Sequence, residues 1–159
     1  FTIEESTVIP ENYTIEVKPK FANRSQEINY LREENIVTSK GRDIWSVALA
    51  SDKKLFDPLS HQIQLRKNII NGLKSFELSI MDIEDGRSKL YEFNIIGNRD
   101  VKVGENVYDC IVVERQRKAS KRKATYLIAP DLNYMFAKVI IFDGDDEITL
   151  SLKKILSLG

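Results

Sequence analysis

The sequence is short of the residues on which most catalytic and metal sites depend. It has one histidine, His61, and one cysteine, Cys110, among 159 residues. A single cysteine cannot form an internal disulfide, and neither residue has a Cys or His partner at metal-ligand spacing. Disulfide frameworks and zinc ribbons are therefore excluded. We expect no cofactor and no metal site, with Cys110 as a small buried residue and His61 at the surface or capping a helix.

Net charge and long apolar runs are also absent. The 24 basic and 24 acidic residues cancel, so attraction to nucleic acid or to an anionic membrane would require a local patch. No stretch approaches the ~18 consecutive apolar residues of a membrane-spanning helix. Apolar residues nevertheless make up 42% of the chain, which is enough for a core. We predict a single domain over residues 1–159 without a membrane span.

The pattern that is present is an alternation of apolar and polar residues, which is typical of half-buried strands. Residues 76–80 alternate in this way, Asp85-Gly86 forms a turn, and residues 91–95 alternate on the return, which predicts a β-hairpin. Asp143-Gly144-Asp145-Asp146 predicts the tip of a second, C-terminal hairpin. The predicted strands lie at about 12–25, 26–38, 42–50, 76–80, 91–95, 107–115, 124–129, 135–142 and 147–155.

One segment favours a helix. Asp57 is followed by Pro58 at the first helical position, and Asn71-Gly72 ends the run. Leu59, Ile63 and Ile70 fall on one face, and Leu65 with Ile69 widens this apolar stripe. The prediction is a helix of about three turns that lies against a sheet or plugs the end of a curled one. The fold class is therefore mainly β, an antiparallel sheet with one short α-helix.

Several segments together resemble the domain-of-unknown-function 3108 family over roughly residues 50 to 155. Their order and spacing carry the resemblance. The segments are Leu55-Phe56-Asp57-Pro58-Leu59-Ser60, Gln64-Leu65-Arg66 running to Gly72, Tyr91-Glu92-Phe93-Asn94-Ile95-Ile96-Gly97, Val113-Glu114-Arg115, Lys121-Arg122-Lys123 and Tyr126-Leu127-Ile128-Ala129-Pro130-Asp131-Leu132.

The resemblance implies that the mainly β fold is a strongly curled antiparallel sheet or barrel with one short α-helix. It implies a bacterial protein that is exported to the periplasm, with its signal peptide removed and with no established catalytic residues. It also implies additional strands before a segment like Phe1-Thr2-Ile3-Glu4. The chain is then expected to be the C-terminal two-thirds or more of a larger family domain that lacks its first hairpin. Such a gap would leave a sheet edge that favours pairing with another chain or a second copy.

A run of cations is the strongest charge feature. It predicts either a patch for an anion or protein partner or a hairpin loop that charge keeps soluble. No aromatic residues interleave the cations as they do in single-stranded nucleic-acid binders, so nucleic acid is not expected as a partner. The residues are Arg115, Arg117, Lys118, Lys121, Arg122 and Lys123.

Aromatic residues at strand positions are the second candidate surface. They either fill the core or, if the sheet closes incompletely, line an apolar pocket for one small ligand. The candidate ligand-binding residues are Trp45, Phe76, Tyr91, Phe93, Tyr108 and Tyr126, with Phe56 and Phe136 as further contributors. The acidic hairpin tips at 82–85 and 143–147 do not follow the order of a calcium-binding loop.

Two classes of function follow. The first is a non-catalytic cell-envelope protein that binds a lipid-like or glycan ligand in or on the curled sheet. The second is a protein-interaction module that docks to an envelope assembly through a sheet edge or the basic hairpin. A hydrolase is the weakest hypothesis, because only scattered carboxylates favour it and no serine or cysteine lies in a nucleophile-elbow motif. The sequence leaves the oligomeric state open.

Overall fold

The structure is a computed structural model that describes residues 1–17, 24–49, 54–118 and 120–155. Within these ranges the chain is mainly β with one α-helix, as the sequence predicts. The strands are β1 (Thr2–Glu4), β2 (Thr7–Ile9), β3 (Asn12–Ile15), β4 (Gln26–Leu31), β5 (Ile36–Gly41), β6 (Trp45–Ala48), β7 (Leu55–Phe56), β8 (Ser75–Met81), β9 (Ser88–Val103), β10 (Asn106–Gln116), β11 (Lys123–Ala129), β12 (Met135–Asp143) and β13 (Asp146–Ser151). The helix α1 is Ser60–Ile70, and Pro130–Leu132 form a short 3-10 helix.

The strands form three sheets with the orders β1-β2, β3-β4-β5-β6 and β13-β12-β11-β10-β9-β8-β7. Neighbouring strands are antiparallel in the first two sheets and from β9 to β13, whereas β7 and β8 are parallel. Among the described residues no strand pairing closes a sheet on itself. A strongly curled sheet or barrel is therefore not confirmed.

The two predicted hairpins are confirmed. β8 and β9 flank the Asp85-Gly86 turn, where the Gly86 N–H donates to the Asp82 carbonyl at 2.8 Å. β12 and β13 flank the acidic C-terminal tip, with Asp143 opposite Asp146. β9 is longer than expected, because its residues beyond 95 continue to pair with β10 as far as Val103. The strands predicted at 107–115 and 124–129 correspond to β10 and β11.

The predicted single strand over 26–38 is wrong, because the segment is the hairpin of β4 and β5. Its turn has neither Gly nor Pro: the Glu34 N–H donates to the Leu31 carbonyl at 3.2 Å, and Asn35 takes a φ of 54°. Asparagine tolerates this left-handed conformation better than most residues do. The N-terminal hairpin of β1 and β2 was not predicted.

Other predicted strands are shorter than expected. The strand predicted at 12–25 is β3, which ends at Ile15, and its residues 18–23 lie outside the described residues. The strand predicted at 42–50 is β6, Trp45–Ala48, and residue 50 also lies outside. β13 ends at Ser151 rather than at residue 155.

The helix is confirmed, and its predicted apolar face is correct for Leu65 and Ile69 but wrong for Leu59 and Ile70. The Asp57 carboxylate accepts hydrogen bonds from the backbone N–H groups of Leu59 and Ser60, each at 2.8 Å, and so caps the N-terminus. Leu59 and Ile70 are 54% and 55% exposed. The buried face instead mixes apolar and polar side chains: Ser60, His61, Gln64, Leu65, Asn68 and Ile69.

Gln64 explains the polar burial. Its Oε1 accepts a hydrogen bond from the Val8 N–H at 2.7 Å, and its Nε2 donates to the Ser6 carbonyl at 3.2 Å. Nε2 also donates to Asn68 Oδ1 at 2.7 Å. The helix therefore supplies hydrogen-bond partners to the backbone of the β1-β2 hairpin, whose buried polar groups would otherwise go unpaired.

The chain divides into two compact units. Unit 1 comprises Phe1–Gly72 and Leu78–Leu90, and unit 2 comprises Leu73–Glu77 and Tyr91–Gly159. The unit 1 core contains Ile28, Tyr30, Val37, Leu49, Leu55 and Met81. A unit 2 core cluster contains Val103, Cys110, Leu127, Ala129, Leu132 and Ala137. The prediction of a single domain stays a prediction.

Candidate functional site: an arginine on an aromatic sheet face

One face of the unit 2 sheet carries a row of aromatic rings. Phe76 stacks on Phe93 with ring centroids 5.4 Å apart, Phe93 on Tyr126 at 6.4 Å, and Tyr126 lies 5.5 Å from Phe136. Phe93 and Tyr126 are buried. Centroid distances of 4.5–7 Å are those of interacting aromatic pairs, so in this row ring packs directly against ring.

Strand register explains how a cation joins this row. Arg115 in β10 lies opposite Phe93 in β9 and Ala124 in β11. Tyr91 and Tyr126 are each two residues farther along the neighbouring strands, which places them diagonally beside Arg115 on the same face. The side chain of arginine is long enough to span such a diagonal. The sequence forms this contact only because three strands pair in this register.

The three residues Arg115, Tyr91 and Tyr126 form what we call the Arg115 cluster. The guanidinium carbon lies 4.9 Å from the Tyr91 ring centroid and 5.8 Å from that of Tyr126. Both distances are within the range of cation–π attraction. Arg115 is half-buried. Among the described residues no carboxylate lies within ion-pair distance of its guanidinium.

Burial dominates the electrostatics of Tyr126. It raises the pKa of the phenol above its ordinary value, an effect that the Arg115 charge opposes and Tyr91 reinforces. Tyr126 is therefore neutral at physiological pH and cannot act as a counter-anion to the guanidinium. The positive charge of Arg115 stays uncompensated within the cluster.

Comparison with known families assigns the chain. A family described as "Protein of unknown function (DUF3108)" matches residues 1–153. The chain belongs to the DUF3108 family. The resemblance predicted from the sequence segments is thus confirmed, and the match extends over nearly the whole chain. Neither the curated proteins nor the solved structures gave a match.

The remaining cations of the predicted patch lie around the β10–β11 loop of this DUF3108 chain. Lys118 Nζ lies 3.7 Å from Glu92 Oε1, and Arg122 Nε lies 3.7 Å from Asp143 Oδ2. Lys121 and Lys123 are exposed, and Arg117 is half-buried at the start of the loop. Arg115, which contacts two tyrosine rings, therefore differs from the other cations of the run. Lys121 and Lys123 are exposed to solvent, and Lys118 and Arg122 lie near surface carboxylates.

The six aromatic ligand-binding candidates do not share one environment. Phe76, Tyr91, Phe93 and Tyr126 belong to unit 2 and lie on or beside the aromatic row. Tyr108 packs against the unit 2 core cluster that contains Cys110. Trp45 packs in the unit 1 core, where its Nε1 donates to the Ile83 carbonyl at 3.0 Å. Four of the six are brought together, and two are not.

Open depressions lie elsewhere on the surface. One of about 460 Å³ in unit 1 is lined by Thr14, Ile15, Glu16, Ser25, Gln26, Glu27, Lys40 and Gly41. Another of about 400 Å³ in unit 2 is lined by Val103, Gly104, Glu105, Asn106, Tyr108, Lys153, Lys154 and Ile155. Neither is lined by a residue of the aromatic row, so the rings fill space rather than surround either depression.

Asp57, Ser60 and His61 are close in space, yet they form a helix cap. The Ser60 hydroxyl donates to Asp57 Oδ2 at 2.8 Å and accepts from the Asp57 N–H at 2.9 Å. His61 is buried rather than at the surface, with Nδ1 3.2 Å from the Asp57 carbonyl oxygen. A serine whose proton is directed to a carboxylate lacks the histidine base of a nucleophilic triad.

Cys110 and the acidic side chains are further residues that could take part in chemistry. Cys110 is buried as predicted, and burial raises the pKa of its thiol, with Asp109 and Asp100 adding to the effect. No group of three or more His, Cys, Asp or Glu side chains is placed to hold a metal ion among the described residues. No described helix has the length and apolar character needed to cross a membrane.

Proposed function

We propose that this DUF3108 protein is a non-catalytic protein of the bacterial cell envelope that binds an acidic, lipid-like ligand at the Arg115 cluster. One observation carries the proposal. The guanidinium of Arg115 is half-buried over two tyrosine rings, and no described carboxylate neutralises it. A buried or partly buried charge without a partner is costly, and an external anion would offset that cost.

The chemistry of arginine supports an acidic ligand. A guanidinium keeps its charge at all physiological pH values and presents N–H donors in a plane that matches carboxylate or phosphate oxygens. A cation–π contact does not require the guanidinium N–H groups as hydrogen-bond donors, so these groups can donate to an anion. The nearby cations Arg117 and Lys121 add to the local positive field.

The aromatic residues around the Arg115 cluster support the proposal that the ligand has an apolar part. The half-buried ring of Tyr91 and the partly buried side chain of Phe136 flank the buried ring of Tyr126 on this face. An acyl chain or the apolar face of a sugar would contact such rings. A lipid-like molecule and an acidic glycan share the acidic group, and the binding experiment separates them.

The proposal includes a strongly curled sheet around the ligand. The register shifts opposite Val112/Val113 and opposite Leu127/Ile128 support it, because each leaves one extra residue in the neighbouring strand, Ile96 in β9 and Ala137 in β12. Such β-bulges bend the strands that carry them and increase the local twist. β9 also carries Tyr91, and β12 carries Phe136 of the aromatic row.

Calorimetric titration with dodecyl phosphate, below its micelle concentration, tests the ligand. Arg115→Gln should weaken binding about 10- to 100-fold, because a hydrogen bond to a charged group contributes about 1.5–3 kcal/mol. Lys123→Gln is the matched control, since Lys123 is an exposed cation of the same hairpin, and should change the affinity less than about twofold.

Other probes decide between ligand classes. Dodecyl maltoside, which lacks the acid, should bind much more weakly than dodecyl phosphate. An acidic oligogalacturonate that binds more tightly than dodecyl phosphate would identify a glycan instead. Equal losses for Arg115→Gln and Lys123→Gln would contradict the Arg115 site, as would an absence of saturable binding.

The envelope location follows from the export that the family resemblance implies. Fractionation of bacteria that express the natural gene product tests it separately. Recovery with the periplasmic fraction is the expected result, and recovery with the cytoplasmic fraction would contradict this part of the proposal.

A second candidate function is docking to an envelope protein through a sheet edge. The exposure of β13 favours it, because every residue of Asp146–Ser151 is exposed. An uncovered edge strand presents N–H and C=O groups that another strand can pair with. Cross-linking in intact cells, followed by identification of what is attached to β13, would test this function.

A further inference from the structure

We propose that β13 pairs with β13 of a second copy of the chain, in antiparallel register about a two-fold axis at Thr149. The inference concerns the edge strand and is independent of ligand binding at Arg115. The exposed edge of β13 is the one that favours the docking function. The inference names a second copy of β13 as the strand that covers it.

β13 is the last strand in the order of its sheet. One side pairs with β12 from Lys138↔Ser151 to Asp143↔Asp146, and no strand in the described part of the chain pairs with the other side. Ile148 and Leu150 are 53% and 60% exposed. They lie opposite Ile141 and Val139 on β12, so the apolar surface of β12 continues to the edge.

The alternation of hydrogen bonds along β13 shows which of its backbone N–H and C=O groups are available to a second strand. The Leu152 N–H donates to the Ala137 carbonyl at 2.9 Å, so residue 152 is directed toward β12. The β12-β13 register has no shift. In an antiparallel ladder the direction alternates along the strand. Ile148 and Leu150 therefore bond to β12, whereas Glu147, Thr149 and Ser151 direct their N–H and C=O groups outward.

These three outward residues are self-complementary. If Thr149 lies opposite Thr149 of the second copy, Glu147 lies opposite Ser151 and Ile148 lies opposite Leu150, each pair occurring twice. The apolar pairs then fall at the closely spaced, non-hydrogen-bonded positions of the new ladder. One isologous contact thus satisfies the outward backbone groups and covers both exposed apolar side chains.

Charge along the strand selects a second copy in antiparallel orientation. Acidic residues Asp145, Asp146 and Glu147 precede the apolar centre, and basic residues Lys153 and Lys154 follow it. Antiparallel pairing places the acidic end of each strand beside the basic end of the other, whereas parallel pairing places like charges together. Complementarity of this kind favours the matching orientation and opposes the other.

The centre of the strand lacks the features that normally protect an edge. Natural edge strands carry charged side chains, proline or a bulge that prevents pairing. In β13 the charged residues Asp146 and Glu147 are at one end, the rest of its sequence DEITLS has neither charge nor proline, and its pairing with β12 shows no bulge. An unprotected, regular edge of six residues is the geometry that strand addition requires.

Sedimentation of the full chain between about 1 and 200 μM is the first test. We expect a concentration-dependent dimer. Thr149→Pro removes the outward N–H at the axis and none of the bonds to β12, so it should give a monomer with unchanged strand content by circular dichroism. Thr149→Val keeps that N–H and should remain a dimer.

Cysteine cross-linking tests the register with variants that keep the fold. Directly opposite residues of a hydrogen-bonded pair have Cα atoms about 5.5 Å apart, within disulfide range. Thr149→Cys should therefore give a covalent dimer when oxidised glutathione accepts the two electrons. Ser151→Cys is the matched control on the same strand. Its two copies would lie four residues apart along the strands, about 13 Å, and should not cross-link.

The outcomes separate this inference from both proposed functions. A wild-type chain that is monomeric at 200 μM overturns self-pairing, as does Ser151→Cys cross-linking as readily as Thr149→Cys. A monomer that recruits another protein to β13 would overturn self-pairing while supporting edge docking. Arg115→Gln should leave sedimentation unchanged, so loss of ligand binding and loss of dimerisation are observed independently.

Discussion

The guanidinium of Arg115 lies 4.9 Å from the centroid of the Tyr91 ring. The two residues belong to adjacent strands and meet only because β10 and β9 pair with Arg115 opposite Phe93. No described carboxylate pairs with Arg115. Its positively charged guanidinium is therefore positioned on an aromatic sheet face without a neutralising partner there. The proposed ligand site depends on this relationship, and the predictions below test it together with the fold that positions it.

Removal of the Tyr91 ring should weaken binding of the acidic probe. Tyr91→Leu eliminates one of the two cation–π contacts of Arg115, each of which contributes about 0.5–2 kcal/mol. Titration with dodecyl phosphate should show an affinity lower by about 2- to 30-fold. Tyr91→Phe keeps the ring and should bind like the wild type. Equal losses for both variants would show that the hydroxyl, not the ring, is needed.

The Tyr30 hydroxyl is expected to destabilise the folded chain. It is buried without a hydrogen-bond partner among the described residues. An unsatisfied buried polar group costs about 1–3 kcal/mol. Tyr30→Phe should therefore raise the free energy of unfolding, measured by urea denaturation at pH 7, by about 1 kcal/mol. A loss of stability of that size would mean that the hydroxyl has a partner.

The same tyrosine predicts a pH dependence. Burial raises the pKa of Tyr30, Asp57 adds to the effect, and Arg32 opposes it. A group whose pKa is raised on folding contributes stability that is fully present below its unfolded pKa, about 10 for tyrosine. That stability is lost as the pH rises toward the folded pKa. Between pH 8 and pH 10.5 the wild type should lose more stability than Tyr30→Phe. Parallel curves would contradict the assignment.

Gln64 should be more important for stability than its neighbour Gln62. Gln64→Leu removes the partners of the Val8 N–H and the Ser6 carbonyl, which should lower the free energy of unfolding by about 1–3 kcal/mol. Among the described residues, the Gln62 side chain bonds to the carbonyl of Pro58, which lies just before the same helix. Gln62→Leu is the control and should cost less than about 1 kcal/mol. Chemical denaturation of the two variants measures the difference.

Gly86 should tolerate a methyl group less well than Gly144. Both glycines occupy hairpin turns at positive φ, 73° and 66°. A Cβ at Gly86 would lie 2.7 Å from Trp45 Cε3, whereas a Cβ at Gly144 meets nothing within 4 Å. An alanine would be strained by the positive φ at both positions. The difference in thermal stability between Gly86→Ala and Gly144→Ala therefore measures the clash with Trp45. We expect Gly86→Ala to be less stable by a further 1–3 kcal/mol, about the cost of overpacking.

Local signals made much of the fold predictable from the sequence. The hairpins at Asp85-Gly86 and Asp143–Asp146 combine alternation with turn glycines, and the helix has Asp57 and Pro58 at its start. The turn between β4 and β5 lacks both Gly and Pro, so the sequence pattern does not distinguish it from a continuous strand. The helix face is predictable only in part, because the burial of Gln64 follows from its hydrogen bonds to a distant hairpin, which apolar periodicity does not reveal.

The candidate site was predictable only in part. The basic run drew attention to Arg115, and alternation drew attention to Tyr91 and Tyr126. Their meeting depends on the register of three strands, which a bulge shifts at Val112/Val113. Composition cannot reveal such a register. The exposed edge of β13 is also not predictable from the sequence pattern. Which strand lies at the end of a sheet depends on the strand order, and that order appears only in the structure.

The most direct test of the central claim is native mass spectrometry of the protein purified gently from the organism that makes it. The account predicts a co-purifying acidic, lipid-like molecule that is retained by Lys123→Gln and lost from Arg115→Gln. A wild-type protein that carries no such molecule, or an Arg115→Gln protein that retains it, would contradict the account.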